Sequence, residues 1–136
     1  MRVDKVCIID DDPIFVYGTK VILNYNRSFC SNIMVYENGE EALEDLVNEL
    51  KNEEKLPEVI FLDLNMPIMD GWGFLDNFCK IPNIESQTSI YILSSSINPD
   101  DINKSKNYSI VKDFIQKPLT DAKFTKLLEG IEVCNS

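Results

Sequence analysis

The chain has 136 residues, 44% hydrophobic and 26% charged, enough for one globular core, too few for two, and unlike a disordered sequence. Thirteen basic against 23 acidic residues give a formal charge of −10, a surface that repels a phosphate backbone and argues against direct nucleic-acid binding. No apolar stretch reaches the ~20 residues of a membrane span, and no signal-peptide core is present, so a soluble cytoplasmic protein with no membrane contact is expected.

The run Val6-Cys7-Ile8-Ile9 predicts a first strand. Pro13 suits the first turn of a helix reaching about Asn24, which Gly18 weakens by ~1 kcal/mol unless it permits close packing. Ile33-Met34-Val35-Tyr36 reads as a second strand. Asn38 can cap the next helix, with Glu41 completing a capping box and Ala42, Leu43, Leu46, Val47 and Leu50 at helical spacing.

Val59-Ile60-Phe61-Leu62 predicts strand three, and Gly71 opens a short helix to about Lys80. Ile90-Tyr91-Ile92-Leu93 predicts strand four. Asn98-Pro99-Asp100-Asp101 is a strong helix start, but Ile102-Asn103-Lys104-Ser105-Lys106-Asn107 has few apolar anchors, so a short and relatively mobile helix is expected. A fifth strand lies within residues 110–115, and a last helix over 121–131 turns Phe124, Leu127, Leu128 and Ile131 inward. Strands alternating with helices indicate an α/β domain on a parallel sheet, one unit over 1–136 with its core at about 4–132.

Polar residues close the predicted strands: Asp10-Asp11-Asp12 after the first, Asp63 after the third, Ser94 after the fourth and Lys117-Pro118 after the fifth. Open parallel sheets bind ligands beyond the carboxyl ends of their strands, so these groups converge on one polar pocket. Clustered carboxylates repel one another, and a hard divalent cation removes the conflict; Asp10, Asp11 and Asp63 match what Mg2+ requires. Taken alone, the Asp triplet equally suits helix capping, Ser94 a strand-end hydroxyl and Lys117 a surface charge. Asp63, followed by Asn65-Met66-Pro67, is harder to read as a surface accident. A carboxylate there can attack phosphorus, with Ser94 and Lys117 donating to the phosphoryl oxygens. Cys7, Cys30, Cys79 and Cys134 form no C-x-x-C pair and read as reduced, inert thiols. With no histidine in the chain, a phosphohistidine or histidine base must come from a partner.

Asp10-Asp11, the run Asp63-Leu64-Asn65-Met66-Pro67-Ile68-Met69-Asp70-Gly71, Ser94 and Lys117-Pro118 together resemble the receiver domain of two-component response regulators. The likeness extends from Val6 to the last helix. It implies a flavodoxin-like, doubly wound sheet in the order 2-1-3-4-5, and Asp63 as acceptor of a phosphoryl group from a sensor histidine kinase or a histidine phosphotransfer protein. It further implies Mg2+ held by the side chains of Asp11 and Asp63, by Asp10 through water and by the backbone carbonyl of Asn65. A cis bond at Pro118 and a switch role for Phe114 follow from the same resemblance. Such a protein is a regulatory switch, not a turnover enzyme; its chemistry is limited to self-directed phosphotransfer and slow aspartyl-phosphate hydrolysis.

The sequence departs from the family pattern in three places. Asp12 is a third acid that should face solvent or the helix start. Lys106-Asn107-Tyr108-Ser109 stands where many receivers carry an Ala-Gly turn, and Ser94 replaces the commoner threonine. A phosphohydrolase of the haloacid-dehalogenase type would use Asp10 and Asp12, but the chain lacks that fold's later acidic pair and cap domain. A pseudo-receiver acting only as an interaction module would have lost pocket residues, and none is lost. No output segment follows Ile131, so a stand-alone receiver is expected, acting on an unidentified downstream protein or forming a phosphorylation-dependent homodimer.

Overall fold

The computed structural model describes residues 3–26 and 29–135, with side chains described as far as residue 129. Five parallel strands, β1 (Val3–Ile9), β2 (Cys30–Tyr36), β3 (Val59–Leu62), β4 (Ser89–Ser94) and β5 (Val111–Gln116), form one sheet in the order β2-β1-β3-β4-β5. Between and after them run α1 (Pro13–Tyr25), α2 (Gly39–Lys51), α3 (Gly71–Phe78), α4 (Pro99–Ser105) and α5 (Asp121–Asn135). This is the expected flavodoxin-like arrangement.

The central strands are apolar throughout because both faces are covered. Cys7, Ile9, Ile60, Leu62, Ile90 and Ile92 point to one side and pack on Ala42, Leu46, Phe74, Leu75 and Phe78 of α2 and α3. Val6, Ile8, Val59, Phe61, Tyr91 and Leu93 point to the other and meet Leu23, Phe29, Phe124 and Leu127. The alternation required by the pleat is therefore present inside runs that read as uniformly hydrophobic.

Several boundaries differ from expectation. β1 and β2 begin three residues earlier than predicted, because Val3 pairs with Cys30 and Lys5 with Asn32, and the exposed Asp4, Ser31 and Asn32 in this stretch interrupt the apolar runs. Polar residues are tolerated there, so the apolar run marks only part of the strand. β4 extends through Ser94, making that residue the last of the strand. β5 ends at Gln116, which aligns with Ser94. Leu50 of α2 is exposed, and α5 continues past residue 131; the expected inward position of Ile131 lies outside the described side chains.

α4 has seven residues, of which only Ser105 is buried. In place of apolar anchors it has an aromatic and ionic clasp to α3. Trp72 stacks on Tyr108 at 5.9 Å between ring centroids, Lys104 Nζ sits 4.5 Å over the Trp72 ring, and the Tyr108 hydroxyl donates to Asp76 at 2.6 Å. Burial and this hydrogen bond to a carboxylate push the Tyr108 phenol up to about 12.

Gly18 lies in the interior of α1, and a Cβ there would meet nothing within 4 Å. No close packing accounts for it, and only its helix-propensity cost remains. Gly18→Ala is expected to stabilise the fold by about 0.5–1 kcal/mol, read as a higher urea midpoint at unchanged m; an unchanged or lower midpoint would contradict the absence of a packing role. Tyr108→Phe is expected to cost about 1 kcal/mol through the lost bond to Asp76 and to alter Trp72 emission. Emission identical to that of the natural chain would mean that the clasp does not depend on that bond.

Candidate functional site

The site is assembled where β1, β3, β4 and β5 end, and each loop brings one part of it. β1 delivers Asp10, whose Oδ1 accepts from the Asp12 amide at 2.9 Å, so the first loop is tied to its own carboxylate. Asp12 turns away and caps α1, its Oδ1 accepting from the Ile14 amide at 2.9 Å. Pro13 occupies the first turn of the same helix. This matches the expectation that Asp12 faces the helix start, and it removes Asp12 from the role a D-x-D phosphohydrolase would require.

β3 delivers Asp63, which is buried, and the loop after it is held by one backbone bond across itself and one from the start of α2. The Gly71 amide donates to the Leu64 carbonyl at 3.0 Å, and the Gly39 amide to the Met69 carbonyl at 3.0 Å. A Cβ on Gly71 would stand 2.5 Å from the Asp63 carbonyl oxygen and 2.9 Å from the Leu64 Cα, so only glycine lets α3 start this close to the acceptor loop. Within the loop, Ile68 adopts φ 67° under a bond from the Met69 amide to the Pro67 carbonyl at 2.8 Å. A β-branched residue in that conformation is strained by about 1–3 kcal/mol, and Ile68 is 78% exposed.

Carboxylate oxygens of Asp10, Asp11 and Asp63 all lie within 4.8 Å of one another; the first and last are buried and Asp11 is exposed. Lys117, its side chain 5% exposed, reaches in from the end of β5 with Nζ 2.8 Å from Asp10 Oδ2 and 3.5 Å from Asp63 Oδ1. Its amide donates to the Ser94 carbonyl at 2.7 Å, and the Lys117–Pro118 peptide is cis. Four of the sequence-predicted residues are thereby brought together.

The others stand differently. The Ser94 hydroxyl is buried and donates to the Ser96 carbonyl at 2.9 Å, a bond it would have to give up to serve a phosphoryl group. Asn65 is exposed, and its amide donates to the Asp63 carboxylate together with that of Leu64. Phe114, opposite Ile92 on β5, lines a cavity of about 150 Å³ with Ile102 and Ser105 of α4. One residue near the pocket was missed. Phe15, in the first turn of α1, places its ring 4.4 Å from Lys117 Nζ; an aromatic at the start of a helix reads as a core residue, and nothing local points to its partner.

The donor set suits a hard divalent cation: carboxylate oxygens only, close enough to share one ion, and mutually repulsive without it. That repulsion registers in Asp63. Burial foremost, and then the Asp10 charge, raise its carboxyl from 3.8 to about 6, against the opposing effect of Lys117 and the two amides.

A folded-state value above the unfolded one means the native protein holds the proton more tightly. Stability of the metal-free protein therefore falls as pH rises from about 4 to about 6, and stays lower above that window. Asp63→Asn removes this penalty and is expected to make the metal-free protein more stable at pH 7 by about 1–2 kcal/mol, less than the full linkage value because the pocket mouth is wet. Chemical denaturation at pH 4 and pH 7 in chelator tests this; a variant no more stable than the natural chain at pH 7 would contradict it.

Residues 6–129 match the response regulator receiver domain family. Among solved structures, a two component response regulator from Cytophaga hutchinsonii superposes with a TM-score of 0.86 at 29% identity, with 100% of both chains covered. The phosphorylated cyanobacterial phytochrome response regulator RcpA superposes at 0.75 with 27% identity, covering 95% of this chain and 91% of that one. YesN of Bacillus subtilis, described as an uncharacterized transcriptional regulatory protein, is 27% identical over 127 residues, which are 93% of this chain and 32% of that protein. The chain thus spans about a third of YesN. No described helix is long and apolar enough to cross a membrane. With sheet order, strand-end pocket and family match in agreement, the chain belongs to the response regulator receiver domain family of two-component signalling.

Proposed function

We propose that Asp63 accepts a phosphoryl group from a phosphohistidine on a partner protein and that the resulting aspartyl phosphate switches protein–protein contacts. The observation that carries this reading is the convergence of the Asp10, Asp11 and Asp63 carboxylates with the Lys117 ammonium. A structural neighbour, RcpA, described in its phosphorylated form, supports it. Since the chain has no histidine, the donor is a sensor histidine kinase or a histidine phosphotransfer protein, and the cytoplasm is the compartment that suits such a partner.

Mg2+ would be held by Asp11 and Asp63, by Asp10 through water and by the Asn65 carbonyl, supplying charge neutralisation for the phosphoryl oxygens. The Asp63 carboxylate oxygen attacks phosphorus in line while the phosphorus–nitrogen bond of the donor breaks and its electron pair leaves on the imidazole. Lys117, already 3.5 Å from Asp63, donates to one phosphoryl oxygen. Ser94 exchanges its bond to the Ser96 carbonyl for another. Attack of water on phosphorus later returns free phosphate and the Asp63 carboxylate, so the chemistry is a timed switch and not turnover of an external substrate.

Withdrawal of Ser94 toward Asp63 opens room beside the end of β4, and Phe114, facing the small cavity under α4, is the side chain able to use it. Rearrangement of α4, β5 and α5 then alters binding of a downstream protein or of a second phosphorylated copy. Incubation with acetyl phosphate and Mg2+ is expected to add one phosphoryl group to the intact chain, with loss of labelling in Asp63→Asn and in chelator. Labelling that persists in Asp63→Asn would defeat the assignment.

A further inference from the structure

We propose that Phe15 is a positioning residue for the phosphotransfer, acting through Lys117: its ring face holds the ammonium in the pocket by a cation–π contact. The role in transfer rests on the reading of Asp63 as acceptor; the contact itself does not.

A buried ammonium has lost its water and needs partners on every side. Lys117 has Asp10 at 2.8 Å and Asp63 at 3.5 Å, and the Phe15 ring centroid at 4.4 Å, well inside the ~6 Å reach of such contacts. The two carboxylates are the groups that a cation and an incoming phosphoryl group compete for, so neither can fix Lys117 throughout the reaction. The ring can. It is set by the α1 start, where the Asp12 cap and Pro13 define the first turn.

A neutral aromatic face also suits this place electrostatically. Another carboxylate would add to the negative charge already gathered at Asp10, Asp11 and Asp63, and a polar donor would oppose the ammonium. Nor does ordinary packing among the described residues account for the ring: Phe15 belongs to neither of the two apolar clusters that flank the sheet there, and it is only half-buried.

Labelling rate, Mg2+ affinity and NMR test this on the 136-residue chain. Phe15→Leu is expected to slow initial labelling by acetyl phosphate by about 3- to 10-fold, with Mg2+ affinity changed by less than about 2-fold, while Phe15→Trp keeps most of the rate. Phenylalanines bearing one, two and three ring fluorines at position 15 keep the shape and progressively empty the ring face; the rate should fall with each fluorine. In parallel, NMR of lysine-labelled protein should show the Lys117 ε-protons shifted upfield by the ring, a shift absent in Phe15→Leu. Equal rates across the fluorinated series would overturn the proposal, as would Lys117 ε-protons that do not respond to Phe15→Leu. A natural chain that takes no label at Asp63 would instead remove the acceptor reading and with it the transfer role, leaving the NMR result to judge the contact alone.

Discussion

The arrangement depends on one constraint: like charges must be kept together at the end of a sheet without water enough to separate them. Asp10 and Asp63 are buried, Asp11 stands at the rim, and the Lys117 ammonium lies between the first two. A charge cluster of this kind survives only if its partners cannot drift apart. Parallel strands anchored in apolar layers on both faces provide that rigidity, and the loops after β1 and β3 are short and held by backbone amides. Gly71 and the strained Ile68 mark how tightly the second of these loops is drawn.

Much of this was legible in the residues. β3 at Val59–Leu62 has the expected bounds because a central strand covered on both faces is apolar from end to end. Asn38 and Asp12 cap helices as their residue types suggest, the Asn38 oxygen accepting from the Glu41 amide at 2.9 Å. The edge strand β2 was only half visible, since Ser31 and Asn32 are both exposed and break the apolar pattern. Contacts between distant residues left no local trace at all. Phe15 over Lys117 and Trp72 on Tyr108 are juxtapositions created by the topology, and neither follows a helical or strand period.

The clasp between α3 and α4 bears on the surface proposed above to carry the signal. A helix of seven residues with few buried side chains would be held loosely by packing alone. Here the stacked pair, the Lys104 ammonium and the Tyr108–Asp76 bond fasten it instead, and Tyr108 lies in the segment where the common Ala-Gly turn is replaced. Directional contacts of this type are made or broken as a set. An element fastened so exchanges between discrete positions more readily than it deforms by degrees, which is the property a two-state surface needs.

Three carboxylates against one ammonium leave the pocket two positive charges short of neutrality, inside a chain whose formal charge is −10. Both fields draw divalent cations inward, and both hold back small anionic phosphodonors. Dissolved salt screens the exposed part of this field over a Debye length of ~10 Å at 0.1 M. Under the proposed chemistry, ionic strength would therefore act on the two reagents in opposite senses: the cation would be held less tightly as salt rises, while the anionic donor would approach more easily.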